Sequence, residues 1–343
     1  AARGSGTWQL GVVGNWEGQK RPVPRFSYSG ASDALSYTMS LQARPAIAPQ
    51  FVKDTITTEA GGTLRTINEQ RMRDSEIYTG RGSLTYSASG DRRLSLNGFV
   101  RYTPRDNTDT TLTFAPITLG NVTNGLRETG GIAEDINGDD LVWELGADYS
   151  QPFGKSAKFN GLFIRSTTTK DQVTNTFFRF PNSDLDQLGG DSKDEKATET
   201  IARGTLDWNL AEKHDLELGV EGAKNTLNKN LDFFTLVGGT QVDIPVFNSD
   251  QDINEDRIEV FTTHSWKPVP ALEIQTGLAA EFSWLTQIGS DVGTVRSFNF
   301  VKPSLDVWYN FDDATQVWFS FLRDVGQLDF DDFPWRHPAV QFP

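Results

Sequence analysis

The 343-residue sequence contains no cysteine, which excludes a disulfide framework, a thiolate metal site and a thiol nucleophile. Positive charge is also scarce: 32 Lys and Arg stand against 46 Asp and Glu, for a net charge of −14. This balance argues against nucleic acid as a partner, because phosphate backbones are bound by basic surfaces. No apolar run approaches the ~18 residues that a membrane-spanning helix needs.

Aromatic residues, by contrast, are abundant, with 9 Trp and 23 Phe in a chain of negative mean hydropathy. The apolar residues occur singly and alternate with polar ones along most of the chain, which predicts strands with one apolar and one polar face. We count about thirteen such segments, commonly about 9–15 residues long, and a tilted strand needs roughly 9–11 residues to cross a bilayer.

One hairpin illustrates the pattern: SLDVWYNFDDATQVWFSFLRD, residues 304–324, contains two alternating runs joined by a short polar link. If such strands cross a membrane as a barrel, we expect Val307, Val317, Phe319 and Phe321 to face lipid, with Tyr309 near the periplasmic rim. Asp306, Gln316 and Ser320 then face a lumen, and the link becomes a periplasmic turn.

The connections between the segments differ in length in a regular way. Every other link is a short turn, as at Ser32-Asp33 or Gly90-Asp91-Arg92, whereas the links between them are long and polar. Short turns at one end and long loops at the other are typical of an outer-membrane barrel. We therefore predict an all-β fold, an antiparallel transmembrane β-barrel in the bacterial outer membrane; the alternative is an antiparallel sheet with one solvated face. The predicted long loops span residues 45–74, 105–140, 167–196, 226–254 and 287–296.

Two sets of side chains follow from this prediction. Charged residues on the polar positions of the strands can line a lumen, and aromatic residues near strand ends can lie at the headgroup level. The candidate lumen-facing residues are Arg44, Arg81, Arg101, Arg203, Glu281 and Asp306, and the candidate membrane-interface aromatics are Trp143, Trp208, Trp266, Trp284 and Tyr309.

Catalytic and metal-binding motifs are missing, so we expect no enzyme activity, no cofactor and no metal site. The three histidines fall in a turn, at a strand end and near the C-terminus. The run DINGDD, residues 135–140, has alternating acidic positions but lacks the Gly and Glu of a calcium loop, so we interpret it as an Asn-Gly turn.

The long loops are where an extracellular small molecule would bind. Their aromatic residues can hold an apolar or ring-shaped ligand, or can pack the loops together. The acidic run at residues 184–199 is a solvated loop or a site that attracts a cationic ligand. The candidate ligand-binding aromatics are Phe177, Phe178, Phe180, Phe233 and Phe234.

Two stretches resemble the barrel of TonB-dependent outer-membrane receptors. KPSLDVWYNFDDATQVWFSFLRDVGQLDFDDF, residues 302–333, resembles the middle of that barrel, and SGTWQLGVVGNWEGQKRPVPRFSYSGASDALSYTMSLQAR, residues 5–44, is similar to its first strands. The resemblance implies that residues 1–333 form about 13 strands, the N-terminal part of an about 22-stranded barrel. It also implies import of a siderophore, an oligosaccharide or a similar nutrient.

In that family a plug domain and a TonB box couple the receptor to TonB, and the barrel ends in an aromatic strand. None of these parts is in this sequence, so the resemblance implies a fragment. Residues 334–343 depart from the strand pattern, and we interpret them as an artificial or frameshifted tail. Two alternatives remain open: a complete passive porin of about 12 to 14 strands, and a secreted β-rich binding protein.

Overall fold

Every regular element in the computed structural model is a β-strand within the residues described, which are 3–57, 63–119, 122–179, 185–247, 249–289, 293–312 and 314–326. Among them we find no helix with the length and apolar character to cross a membrane. The strands are β1 (Arg3–Gly14), β2 (Lys20–Ala31), β3 (Leu35–Ile47), β4 (Gln50–Thr57), β5 (Thr63–Ala88), β6 (Arg92–Leu119), β7 (Val122–Phe153), β8 (Ala157–Arg179), β9 (Leu185–Ala211), β10 (His214–Val237), β11 (Thr240–Ile244), β12 (Gln251–Val269), β13 (Leu272–Gly289), β14 (Gly293–Asn310) and β15 (Gln316–Leu322).

All 15 strands belong to one antiparallel sheet. Thirteen of them follow one another in chain order, from β1 through β3, β5 to β10, and β12 to β15. The short strands β4 and β11 lie off this path and pair only with β5 and β10. The predicted all-β antiparallel architecture and the estimate of about thirteen strands are confirmed. Within the described residues the sheet does not close, because β1 and β15 each have one edge without a neighbouring strand.

Short turns join the strands at one end of the sheet. The link between β5 and β6 shows how the sequence fixes such a turn, since Gly90 (φ 77°) and Asp91 (φ 58°) both have positive φ. Glycine adopts positive φ at no steric cost and Asp is among the few other residues that tolerate it, so this Gly-Asp pair suits the turn between Ala88 and Arg92. The link between β14 and β15 is held differently: the carboxylate of Asp312 accepts a hydrogen bond from the backbone N–H of Ala314 at 2.9 Å.

The opposite end carries the segments that we predicted to be long loops, and here the structure differs from the prediction. Most of their residues extend the strands as tall hairpins: β6 has 28 residues and β7 has 32, whereas β1 and β2 have 12 each. At about 3.3 Å per residue, β6 alone is roughly 90 Å long. Threonine-rich polar stretches such as NTDTTLTF, residues 107–114, favour the extended conformation without an alternation of apolar residues.

The predicted Asn-Gly turn at residues 135–140 is wrong. Asn137 lies in the middle of β7, opposite Asp106 of β6 and Val173 of β8. An Asn-Gly pair forms a hairpin turn only where the runs on its two sides pair with each other. Here both runs pair with other strands.

Few of the described side chains are fully buried, as expected for a single layer. The core is a small cluster on the polar side of the sheet, formed by Leu227, Ile253 and Leu285 from β10, β12 and β13. Ala197 and Phe298 pack against it from β9 and β14. Ile253 is 0% exposed, so the polar side is packed locally even though most of it is open.

Candidate functional site

The register of the ladder separates an apolar face from a polar face. Val220, Val260, Ala280 and Val301 lie side by side on four successive strands of the path, and three of them are about half exposed. Residues directly opposite in an antiparallel pair point to the same side, and their sequence neighbours point to the other. The neighbouring row therefore places Glu221, Glu259 and Glu281 together on the polar face.

Three carboxylates in one row repel each other, and cations from adjacent rows compensate them. We call this group the ion-pair network; its residues are Arg203, Glu217, Glu221, Arg257, Glu259, Glu281 and Lys302. Arg257 Nη2 lies 3.0 Å from Glu221 Oε1, and its Nη1 lies 4.0 Å from Glu281. Lys302 Nζ lies 2.8 Å from Glu281 Oε2 and also pairs with Glu259. The network thus connects five strands, β9 to β14 along the path.

Arg203, at the start of the network, is positioned by an aromatic ring. Its guanidinium lies 4.5 Å from the ring centroid of Phe261 and 3.9 Å from both Glu217 and Glu221. The ring of Phe261 lies over Gly219, in space that a Cβ on that glycine would occupy. Glycine is therefore required here by the close approach of the ring.

Beside the core cluster, a buried carboxylate is held by neutral donors. Glu255 is 8% exposed, and it accepts hydrogen bonds from Ser283 Oγ at 2.8 Å and from Asn225 Nδ2 at 3.0 Å. Buried charges require such partners. Together with the ion-pair network, Glu255 makes the polar face of β9 to β14 predominantly acidic.

A second charged group lies on the polar face of β2 to β6. We call it the arginine wall; its residues are Arg25, Arg44, Arg81 and Arg101. All four are exposed and surround a cavity of about 340 Å³. Among the residues that the structure describes, none of the four makes an ion pair, although Arg81 lies 5.3 Å from the ring centroid of Phe99. This part of the polar face is therefore basic.

On the tall hairpins, far from the short turns, two carboxylates differ in the direction of their pKa shift. Burial raises the pKa of Glu195, but hydrogen bonds from Lys170 at 2.9 Å and from Lys193, whose Nζ lies 3.0 Å away, outweigh burial and lower the pKa overall. Burial also raises the pKa of Glu134, and there the charges of Asp109 and Asp191 raise it further. Glu195 is thus stabilised as an anion, whereas Glu134 is not.

The predicted ligand-binding aromatics divide between the two faces. Phe234 is opposite Gly190, which is opposite Asn175, so Phe234 and Phe177 share one face. Phe178 follows Phe177 and Phe233 precedes Phe234, so both point to the other face. Phe180 lies outside the described residues. Their role in binding stays a prediction, but the described four do not form one cluster.

The predicted lumen-facing residues share the polar face. Arg44, Arg81 and Arg101 belong to the arginine wall, Arg203 and Glu281 belong to the ion-pair network, and Asp306 is opposite Gln275 and Ser320. The sequence analysis did not single out Arg25, Arg257 and Lys302. The alternation of their strands would have identified them, since each is in step with polar residues of its own strand: Arg25 with Ser27, Arg257 with Glu259 and Lys302 with Asp306.

The predicted interface aromatics share the apolar face at two levels. Trp208, Trp266 and Tyr309 lie near the short turns. Trp143 and Trp284 lie further along their strands, at the other end of the belt of apolar side chains that separates the two levels. On β13 the belt extends from Leu272, opposite Tyr309, to Trp284. That these residues lie at the membrane interfaces stays a prediction.

No group of three or more His, Asp or Glu side chains is placed to hold a metal ion in the described ranges. His214 and His264 lie on the apolar face, where His214 Nδ1 and His264 Nε2 are 3.1 Å apart in a hydrogen bond. His337 lies outside the described residues. The ion-pair network and the arginine wall are thus two charged surfaces, one acidic and one basic, on the same face of the sheet.

A single antiparallel sheet of long strands, apolar on one face and charged on the other, defines the wall of a transmembrane barrel. Residues 151–326 match the Outer membrane protein beta-barrel family, and the chain belongs to that family. This membership places it in the bacterial outer membrane, with lipid against the barrel. The search of curated proteins returned no match.

Several solved outer-membrane structures are distantly similar. The toluene transporter TodX of P. putida is 10% identical, with 94% of this chain and 81% of that chain covered and a TM-score of 0.32. The ferric yersiniabactin uptake receptor FyuA of Yersinia pestis is 10% identical, with 85% and 64% covered and a TM-score of 0.25. The copper transporter OprC is 9% identical, with 94% and 61% covered and a TM-score of 0.26. These similarities are too distant to bear on function.

Proposed function

We propose that the chain forms part of the barrel wall of a TonB-dependent outer-membrane receptor that imports a scarce nutrient, such as a siderophore or an oligosaccharide. The observation that carries this proposal is the direction of the two edge strands. With thirteen antiparallel strands on the path, β1 and β15 run in the same direction. They do not pair with each other in an antiparallel barrel, so we infer that further strands complete the wall.

An unpaired edge is not tolerated in a bilayer, because lipid offers no partner for backbone N–H and C=O groups. Bacterial single-chain barrels have an even number of strands, and the largest ones, of about 22 strands, contain a plugged lumen. The resemblance of residues 5–44 and 302–333 to TonB-dependent receptors favours the larger barrel. The polar face then lines the lumen.

The partners follow from this arrangement. Lipid contacts the apolar face, an extracellular solute binds among the tall hairpins and the lumen side chains, and TonB acts through a plug domain outside this chain. We propose binding and passage of the solute without bond chemistry, since the chain offers no catalytic motif. The net charge of −14 is also unsuited to nucleic acid.

The second candidate is a passive diffusion channel. One further strand would give 14, an even number that closes antiparallel. Such a barrel would have an open lumen lined by the ion-pair network and the arginine wall, and solutes would cross it without an energy source. This candidate needs no plug and no TonB.

Two measurements, one on cells and one on the purified protein, separate the candidates. Uptake of radiolabelled ferric citrate and of a maltodextrin is compared in cells with and without a protonophore, and the purified protein is tested for conductance in planar bilayers. A receptor gives uptake of at least one solute that stops with the protonophore, and it gives no steady conductance. Uptake that is unchanged by the protonophore, together with a stable conductance, would establish the passive channel and refute our proposal.

A further inference from the structure

The positive charge of the arginine wall has no counterpart in the described part of the chain. On β9 to β14 the three cations of the ion-pair network are each paired: Arg257 with Glu221 at 3.0 Å, Lys302 with Glu281 at 2.8 Å, and Arg203 with Glu221 at 3.9 Å. On β2 to β6 the four arginines of the wall have no carboxylate within ion-pair distance among the described residues. Clustered like charges on a concave surface attract mobile counter-ions.

The register explains why no carboxylate of the described strands reaches the wall. Arg25 and Arg101 lie in one row, separated by Gln42 and Thr79, and the row continues to Val142 on β7. In the adjacent row Arg81 is followed by Phe99 and only then by Glu144. Neutral and aromatic residues therefore separate the wall from the first carboxylate on β7.

The side chains around the wall can complete a binding site. The cavity of about 340 Å³ is lined by the four arginines together with Ser40, Gln42 and Thr79, which supply neutral hydrogen-bonding groups. The ring of Phe99 supports the guanidinium of Arg81 from one side, 5.3 Å from its centroid. Arginine presents several N–H donors in a fixed plane that matches carboxylate and phosphate oxygens.

We propose that the arginine wall is a binding site for small polyanionic solutes that carry carboxylate or phosphate groups. The inference rests on the proposed function for its biological role, since it names the chemical class of the imported solute. Its extent favours a small solute over a protein segment. Three strand spacings and four residues along a strand give a patch of about 14 by 13 Å, or roughly 180 Å², well below the ~800 Å² that a stable protein interface buries on each side.

The test uses the protein purified from outer membranes in a zwitterionic detergent, and radiolabelled citrate in equilibrium dialysis at low salt. The double variant Arg25→Gln/Arg101→Gln removes the two arginines of one row. The matched control is Arg92→Gln/Arg323→Gln, which removes the same charge from two exposed positions outside the wall. We expect the first variant to bind citrate about tenfold more weakly or worse, because two charge-assisted contacts are lost, and the control to stay within about twofold of wild type.

Two further arms keep the result decisive if the first variant folds poorly. Arg44→Gln/Arg81→Gln removes the other two arginines and is expected to give a similar loss. Wild-type protein is also expected to bind citrate in preference to neutral glucose and cationic spermidine. Equal binding of citrate and glucose by wild type, or an equal loss in the wall and control variants, would refute the inference. Binding of a poly-glutamate peptide without binding of citrate would refute it in favour of a protein partner.

The two proposals fail separately. Citrate binding at the wall, combined with uptake that is unchanged by the protonophore, would refute the energy-coupled receptor and still support the binding site. Energised uptake that persists in the wall variants without any loss of citrate binding would refute the binding site alone.

Discussion

A charge at the centre of the apolar face is the sharpest test of which face meets lipid. Leu278 on β13 is 52% exposed and lies midway between Trp284 and Leu272, about six residues from each. Six residues span about 20 Å along a strand, or roughly 15 Å of depth at a tilt near 45°, which is half of an ~30 Å hydrocarbon core. Leu278 is therefore placed at the bilayer midplane.

We expect Leu278→Arg to lower the free energy of unfolding by about 2–4 kcal/mol, the cost of an arginine at the midplane on the lipid face. That corresponds to a roughly 30- to 700-fold loss in the folding equilibrium. The cost should depend on depth, so Ile288→Arg, on the same face beyond Trp284, should cost only about 0–1 kcal/mol. A soluble apolar surface would show no such gradient.

The assay is the urea midpoint of refolding into lipid vesicles, followed by tryptophan fluorescence. The matched control is Gln275→Arg, on the same strand but on the polar face, where the new guanidinium lies opposite Asp306. We expect this variant to be close to wild type. The reasoning would be refuted if Leu278→Arg refolded like wild type, or if Gln275→Arg were the more damaging substitution.

Three further predictions concern single side chains. The pKa of Glu195 is lowered, so ionised Glu195 stabilises the fold fully above its ordinary pKa of 4.5. This stabilisation is lost as the pH falls through the lowered pKa. Glu195→Gln should therefore remove this acid sensitivity from the urea midpoint. The pKa of Glu134 is raised, so its ionised form opposes folding at neutral pH, and Glu134→Gln should raise the urea midpoint at pH 7 but not at pH 3.5. Gly219→Ala should displace the ring of Phe261 and cost about 1–3 kcal/mol in the same assay.

Each of these predictions has a clear contrary result. An unchanged pH profile in Glu195→Gln, or a lower midpoint at pH 7 in Glu134→Gln, would contradict the electrostatic assignment. For the glycine, the control is Gly222→Ala on the apolar face, where nothing lies within 4 Å of an added Cβ. Equal effects of the two glycine substitutions would show that the close approach of the ring is unimportant.

Which side chains share a face of the sheet was predictable from the sequence, because lipid contacts one set of alternate residues and water contacts the other. Val307, Val317, Phe319 and Phe321 share one face in the structure as the alternation predicts, and Asp306 lies opposite Ser320 on the other. The short turns were also predictable, since positive φ at Gly90 and Asp91 reflects residue types that tolerate it. These features depend on local chemistry.

The tall hairpins were not predictable by the same means. Both faces of residues 105–117 and 126–140 are polar for much of their length, so hydrophobic periodicity gives no signal there even though the backbone pairing continues. The ion-pair network was hidden for a different reason. Arg257 contacts Glu221 from 36 positions away, and only the register of β10 against β12 brings the two together.

The strictly sequential order of the ladder has a consequence for how such a wall can change in length. Each strand on the path pairs with the strands that precede and follow it along that path. Removal or duplication of a two-strand hairpin leaves every other strand pointing in its original direction and every connection on its original side of the membrane. Loss of one strand would move all later tall hairpins to the periplasmic side and all later turns to the cell surface. The hairpin is therefore the unit in which this barrel wall can be shortened, extended or exchanged.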